Sequence, residues 1–242
     1  MKQLKPAFIA SLIFITGAFM SCNQSGQTTT EVVAVADSTA AQTPPVETKT
    51  IAMVISHHVK DYSTWRPFFD KDETNRQAAN MKILGVFQDA ADPNYVSVSA
   101  SVPSVEAAKQ FSASEALKKA MTEAGVTDQP EVKFYEFQFS DAAAGSASDN
   151  RLFVVAKVQD YQTWKTVFDS RDSIRAAAGV TTVVVAKNLD DANEVAVAFT
   201  ASDMQTLKNF MQGADVKEGM QKAGVVGEPM IQFATKAKET PM

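Results

Sequence analysis

Residues 61–130 of this chain recur without a gap as residues 160–229, every match falling at an offset of 99. Asp61-Tyr62-x-Thr64-Trp65 returns as Asp160-Tyr161-x-Thr163-Trp164, Phe69-Asp70 as Phe168-Asp169, and Arg76 as Arg175. Asn94-x-Val96-x-Val98 returns as Asn193-x-Val195-x-Val197, and Met121-x-x-Ala124-Gly125-Val126 as Met220-x-x-Ala223-Gly224-Val225. Of the 70 aligned positions, 22 are identical. Two copies of one unit on one chain form a built-in pair, so a pocket is expected in or between the copies.

Each copy reads as strand, helix, hairpin, helix, strand. Residues 50–59 (TIAMVISHHV) and 151–158 (RLFVVAKV) are apolar and β-branched, as strands are. A helix follows whose Tyr62, Trp65, Phe68 and Phe69 share one face, as do Tyr161, Trp164, Val167 and Phe168. Asp61 and Asp160 are placed to cap it. Pro67 fits poorly in its interior, so either the first turn is irregular or the helix begins nearer Ser63. Residues 81–87 and 95–102 form a hairpin around the turn residues Ala91-Asp92-Pro93-Asn94, repeated by 183–186 and 194–200. A second helix starts at Ser104 or Asp203, breaks near Ser112-Ala113-Ser114 or Gly213, and stops at Gly125 or Gly224. Residues 132–139 close the first unit, and 231–235 are their shorter counterpart.

The order β-α-β-β-α-β is the ferredoxin-like split arrangement: an antiparallel sheet with both helices on one face. The other face is expected to be apolar and to need a cover. The pattern resembles the dimeric α+β barrel superfamily, whose single-repeat members pair as homodimers. It is most similar to the stress-response and antibiotic-biosynthesis-monooxygenase-like proteins. Those often carry His-x-Val-x-Asp-aromatic-x-x-Trp, which here is His57-His58-Val59-Lys60-Asp61-Tyr62-Ser63-Thr64-Trp65. The resemblance implies an α+β fold of two tandem ferredoxin-like repeats forming an intramolecular barrel, the second repeat standing in for the partner subunit. A monomer is therefore expected.

The N-terminus sets the expected location. Lys2 and Lys5 precede an apolar run over residues 6–20, too short to span a bilayer, and then Ser21-Cys22. Cys22 is the single cysteine. Phe19-Met20-Ser21-Cys22 resembles a bacterial lipobox, with Cys22 as the lipidated residue. Residues 23–49 are rich in Thr, Gln, Ser, Ala and Pro and read as a flexible tether. The expected organisation is a signal peptide over 1–21, a tether over 22–49, repeats over 50–139 and 150–238, and a linker over 140–149. Such a protein is anchored to the cell envelope by lipid. Asn23 after the cysteine leans toward the outer membrane.

Net charge is −5 with lysines scattered among acids, so no basic stripe invites nucleic acid. The only histidines, His57 and His58, end the first strand on opposite faces: one points to the helices, the other to the barrel interior or its mouth. Ala156 and Lys157 replace them in the second copy. Each can titrate near neutral pH in a pocket, or bond a carboxylate such as Asp61. Adjacent strand residues diverge, and no third ligand joins them, so no metal site is expected. Trp65 and Trp164 complete the candidate pocket and read foremost as core anchors. Asp70 and Asp169 are expected to be solvated or paired with Arg76 or Arg175. No catalytic triad, phosphate loop or nucleotide fingerprint occurs, and no cofactor is expected. The reading ranked first is a non-catalytic module that binds a small apolar ligand or a partner. The alternative, implied by the resemblance, is a cofactor-independent monooxygenase or cyclase.

Overall fold

The computed structural model describes residues 49–238. The expected signal peptide, Cys22 and nearly all of the tether lie outside the described residues. Five elements precede the hairpin's return: β1 (Ile51–His58), α1 (Tyr62–Lys71), α2 (Glu73–Ala78), β2 (Lys82–Asp89) and β3 (Tyr95–Val102). Then come α3 (Val105–Ser112), α4 (Glu115–Glu123), β4 (Glu131–Ser140) and α5 (Ala142–Ala147). The pattern repeats as β5 (Asn150–Val158), α6 (Tyr161–Ser170), α7 (Asp172–Ala177), β6 (Thr181–Asn188), β7 (Glu194–Thr200), α8 (Met204–Gln212), α9 (Ala214–Lys222) and β8 (Val225–Lys236).

The eight strands close into one antiparallel barrel in the order β1-β3-β2-β8-β5-β7-β6-β4. The first half contributes β4-β1-β3-β2 and the second β8-β5-β7-β6. The halves are joined at two seams. Five facing pairs connect β4 to β6, from Tyr135↔Asn188 to Ser140↔Val184, and three connect β2 to β8, from Phe87↔Lys236 to Asp89↔Ala234. Closure leaves no unpaired sheet edge. None of the described helices is long and apolar enough to cross a membrane.

Local sequence explains the helix boundaries. Asp61 and Asp160 accept from the backbone N–H of Thr64 and Thr163 (2.8 and 2.7 Å), capping α1 and α6. Ser104 and Ser114 cap α3 and α4 in the same way. The expected break in the second helix falls between α3 and α4, and between α8 and α9 at Gly213. Gly125 and Gly224 take positive φ (83° and 70°), where a β-carbon would be strained. Helix α1 starts at Tyr62 and runs through Pro67. The ring removes one backbone donor there, which the Asp61 cap and the buried Trp65 outweigh.

Alternation along the strands sends one face under the helices. Met53, Val96, Val98, Ala100 and Phe134 build the core of the first half, and Leu152, Val154, Val195, Val197 and Leu207 that of the second. Trp65 and Trp164 are 3% and 5% exposed and stack on Phe69 and Phe168 (4.9 and 5.1 Å).

Several expectations are corrected. The last strand is not short: β8 runs over twelve residues. Gly227 at φ +70° and Pro229 sit where the β5–β8 register jumps, so the bulge absorbs the missing proline donor. Residues 140–149 are more than a linker, because Asp141 caps α5 by accepting from Ala144 N–H (2.9 Å), and α5 lies on β6. Asp70 and Asp169 form ion pairs with Arg66 and Lys165, one helical turn back, and their charges also act on the expected Arg76 and Arg175. The inward sheet face of the first half is only partly apolar: Val54, Leu84, Phe87 and Phe137 share it with Ser56, Ser97 and Ser99 in the barrel lumen.

Candidate functional site

His57 faces the helices of the first half. It is 3% exposed, its ring lies 5.8 Å from that of Trp65, and neither ring nitrogen has a hydrogen-bond partner among the described residues. Burial pushes its pKa from 6.5 down to about 4; Asp128 opposes and His58 adds to the shift. The imidazole is therefore neutral near pH 7, with one N–H to donate and one lone pair to accept. It borders a cavity of about 70 Å³ walled by Met53, Trp65, Phe69, Met81 and Met121. Arg76 closes one side. Its guanidinium lies 4.1 Å from the Phe69 ring centre and Nη1 donates to the Phe69 carbonyl (2.7 Å).

The second half repeats this frame without the histidine. Arg175 lies 3.9 Å from the Phe168 ring centre and donates to its carbonyl (2.8 Å). Ala156 occupies the position of His57, and the cavity there is about 100 Å³. Smaller side chains accompany the larger space: Ala156, Val154, Val167 and Val216 stand where the first half has His57, Ile55, Phe68 and Leu117. Since the Arg-on-Phe contact occurs in both halves, it belongs to the fold; the buried imidazole is particular to the first.

His58 points the other way and is exposed. Its Nδ1 lies 2.6 Å from Asp128 Oδ2, its backbone N–H donates to Asp128 Oδ1 (2.9 Å), and its ring packs on Tyr95 (4.7 Å). The carboxylate is Asp128 rather than the expected Asp61. Asp61 is occupied as a cap, accepting also from the hydroxyls of Ser63 and Thr64. Thus the structure brings His57 and Trp65 to one pocket, places Trp164 in the equivalent pocket of the other half, and sets His58 apart.

A third space, larger than these two, is the barrel lumen, about 410 Å³, which sequence reasoning did not resolve into residues. Both halves line it. Ser56, Ser97 and Ser99 form a hydroxyl-bearing wall on one side; Phe153, Val155, Ala196 and Ala198 form an apolar one on the other. The signal was present in Tyr95-Val-Ser-Val-Ser-Ala-Ser-Val102, whose alternation sends valine outward and serine inward.

The lumen carries charge at both ends of β7. At its start, Glu194 accepts from Tyr135 Oη (3.1 Å), Asn188 Nδ2 (2.7 Å) and Lys133 Nζ (3.1 Å). Burial raises the Glu194 pKa, but these bonds outweigh it and hold the carboxylate low. Burial, then Glu194, pushes the Tyr135 phenol up. At the far end, Arg151 is 2% exposed. Its Nη1 donates to the carbonyls of Ser148 (2.6 Å) and Asn150 (2.8 Å) and to Thr200 Oγ1 (3.0 Å), and its Nη2 donates to the Gly145 carbonyl. Among the described residues, no cluster of three or more His, Cys, Asp or Glu side chains is placed to hold a metal ion.

No protein-family model matches this chain, and no curated protein does. Solved structures do match. An anthrone oxidase-like protein superposes with a TM-score of 0.58 at 14% identity, covering 79% of this chain and 93% of its own. A candidate chlorite dismutase gives 0.54 at 12%, covering 79% and 96%. A candidate monooxygenase from Lactobacillus acidophilus NCFM gives 0.51 at 11%, covering 78% and 94%. At such identities the likeness establishes the fold alone, an α+β barrel, and nothing of the chemistry.

Proposed function

We propose that this chain is a lipid-anchored envelope protein, its lipid on Cys22, that holds a small, largely apolar organic molecule in its barrel lumen. The two ferredoxin-like repeats serve as each other's partner, and the protein works as a monomer. The observation that carries the reading is the lumen: about 410 Å³, within the range of small-molecule pockets, lined by both halves and mixing apolar walls with a few fixed polar groups. Native mass spectrometry of the purified chain tests it, with a co-purifying small molecule expected. Ala198→Phe, which places a ring in the lumen, should eject that molecule while leaving circular dichroism unchanged. Equal occupancy in the variant would defeat the reading. Palmitate labelling lost in Cys22→Ala, and a monomer by light scattering, test the anchor and the oligomeric state.

The names of the structural neighbours support a second reading more than the first: a cofactor-independent oxygenase acting at the His57 pocket. A neutral, unpartnered imidazole beside an aromatic wall has a free lone pair to take a proton from a phenol or an activated C–H, leaving an anion that dioxygen can oxidise, but burial, which lowers its pKa to about 4, makes it a weak base. The pocket is small for this. At about 70 Å³ it is half the size of the roughly 150 Å³ cavity that accepts benzene, so a substrate ring enters only if side chains move. Oxygen uptake with anthrone as substrate distinguishes the readings. Uptake that disappears in His57→Ala and His57→Gln favours catalysis; uptake equal in all three chains removes it.

A further inference from the structure

The lumen's polar groups specify more than a small apolar guest. Arg151 sits at the end of β7 that α5 covers, almost fully buried, and lines the lumen. Every acceptor it meets is a neutral oxygen: three backbone carbonyls and one threonine hydroxyl. No carboxylate among the described residues forms an ion pair with it. Asp149 acts on it only from a distance, and burial outweighs that effect, loosening the guanidinium's hold on its proton. Lys236 and Asp141 are the other charged groups lining this end, and Asp141 is engaged as the cap of α5. A buried cation with hydrogen bonds but no counter-charge is rare, because desolvation is offset only when an opposite charge approaches.

A second group points the same way. Gln232 faces Phe153 across the β5–β8 ladder, one inward step from Arg151, and lines the lumen. Its amide nitrogen is buried with no partner among the described residues. Guanidinium and amide nitrogen are both donors. Gln232 Nε2 lacks an acceptor, and Arg151, bonded only to neutral oxygens, lacks a negative one. Beside them run Phe153, Val155, Ala196 and Ala198, which offer hydrogen bonds to nothing.

We propose that the lumen binds an organic carboxylate with an apolar body, its head at Arg151 and Gln232 and its body along the second half's wall. This rests on the lumen being the binding site and adds the chemical class. The serine wall opposite leaves room for hydroxyl or carbonyl groups along the body, with Ser56 and Ser97 already bonded to each other (2.9 Å).

The test is calorimetric titration of the full lipidated chain in phospholipid nanodiscs, against empty nanodiscs, with decanoate and with decanol. Decanoate is expected to bind at least tenfold more tightly. Arg151→Gln should erase that preference, Gln232→Leu should weaken decanoate several-fold, and Ala198→Phe should abolish binding of both. Should Arg151→Gln fail to fold, the other two variants carry the test. If both ligands bind equally, the carboxylate assignment falls and the lumen site survives. If neither binds, both fall. Decanoate binding untouched by Gln232→Leu and Ala198→Phe would put the ligand elsewhere and overturn the proposal.

Discussion

His57 should make this protein acid-labile in a window set by one side chain. In the unfolded chain its pKa is 6.5, and in the fold burial takes it to about 4. Between those values the unfolded chain binds a proton that the folded one refuses. Stability from this group is therefore full above about pH 6.5, declines as pH falls, and is exhausted near pH 4. At about 1.4 kcal/mol per pKa unit the whole effect is about 3 kcal/mol, of which about 2 kcal/mol is lost between pH 7 and pH 5. That is a large share of a typical domain's 5–15 kcal/mol. The carboxylates held low, Asp128 and Glu194 among them, have unfolded values of 3.8 and 4.5 and so act mostly below this window. His57→Leu fills the site with a side chain that cannot titrate. Urea unfolding followed by tryptophan fluorescence at pH 7 and pH 5 should show the wild type losing about 2 kcal/mol more than the variant. At pH 7 the variant should be at least as stable, since no hydrogen bond is lost with the imidazole. Equal losses in the two chains would refute the buried, neutral histidine.

Other substitutions probe the frame. Glu194→Ala strips the shared acceptor from Lys133, Tyr135 and Asn188 and should cost about 2–3 kcal/mol in chemical denaturation, with Glu194→Gln less damaging. Arg175→Met keeps the stem over Phe168 but leaves that carbonyl with the Arg171 N–H alone (3.2 Å); a loss of about 1 kcal/mol and a lowered Tm are expected. Ser104→Ala removes the cap bond to Ala107 N–H (3.1 Å) and should cost about 1 kcal/mol with no effect on ligand binding.

The repeat made the architecture legible before any coordinates. An offset of 99 aligns strands with strands and caps with caps, and the α+β barrel follows from burying two sheets built alike. What stayed hidden is where side chains turn. Arg151 reads in sequence as the first polar residue of an apolar strand, yet its guanidinium folds back onto the carbonyls of Gly145, Ser148 and Asn150 and reaches Thr200 Oγ1 on the paired strand β7. Helix α5 itself looked like a spacer, since residues 142–147 (AAAGSA) carry no apolar stripe, although Asp141 supplied a start signal. The last strand was read only from residue 231, whereas the ladder bulges at Gly227 and Pro229 and extends back to Val225. Alternation alone assigned the histidines to opposite faces, and the cap role already read for Asp61 engages that carboxylate, but only the fold brings Asp128, 70 residues away, to His58.

The two seams differ in length, and the difference predicts how the molecule opens. With three facing pairs against five, the β2–β8 joint should part first under mild denaturant, before either half loses its helices. The circle then becomes a curved strip with a bare strand at each tip. A second opened molecule presents the same two tips in the same register. Reciprocal exchange would yield a larger ring of four halves, visible as a slowly reverting dimer by size-exclusion chromatography.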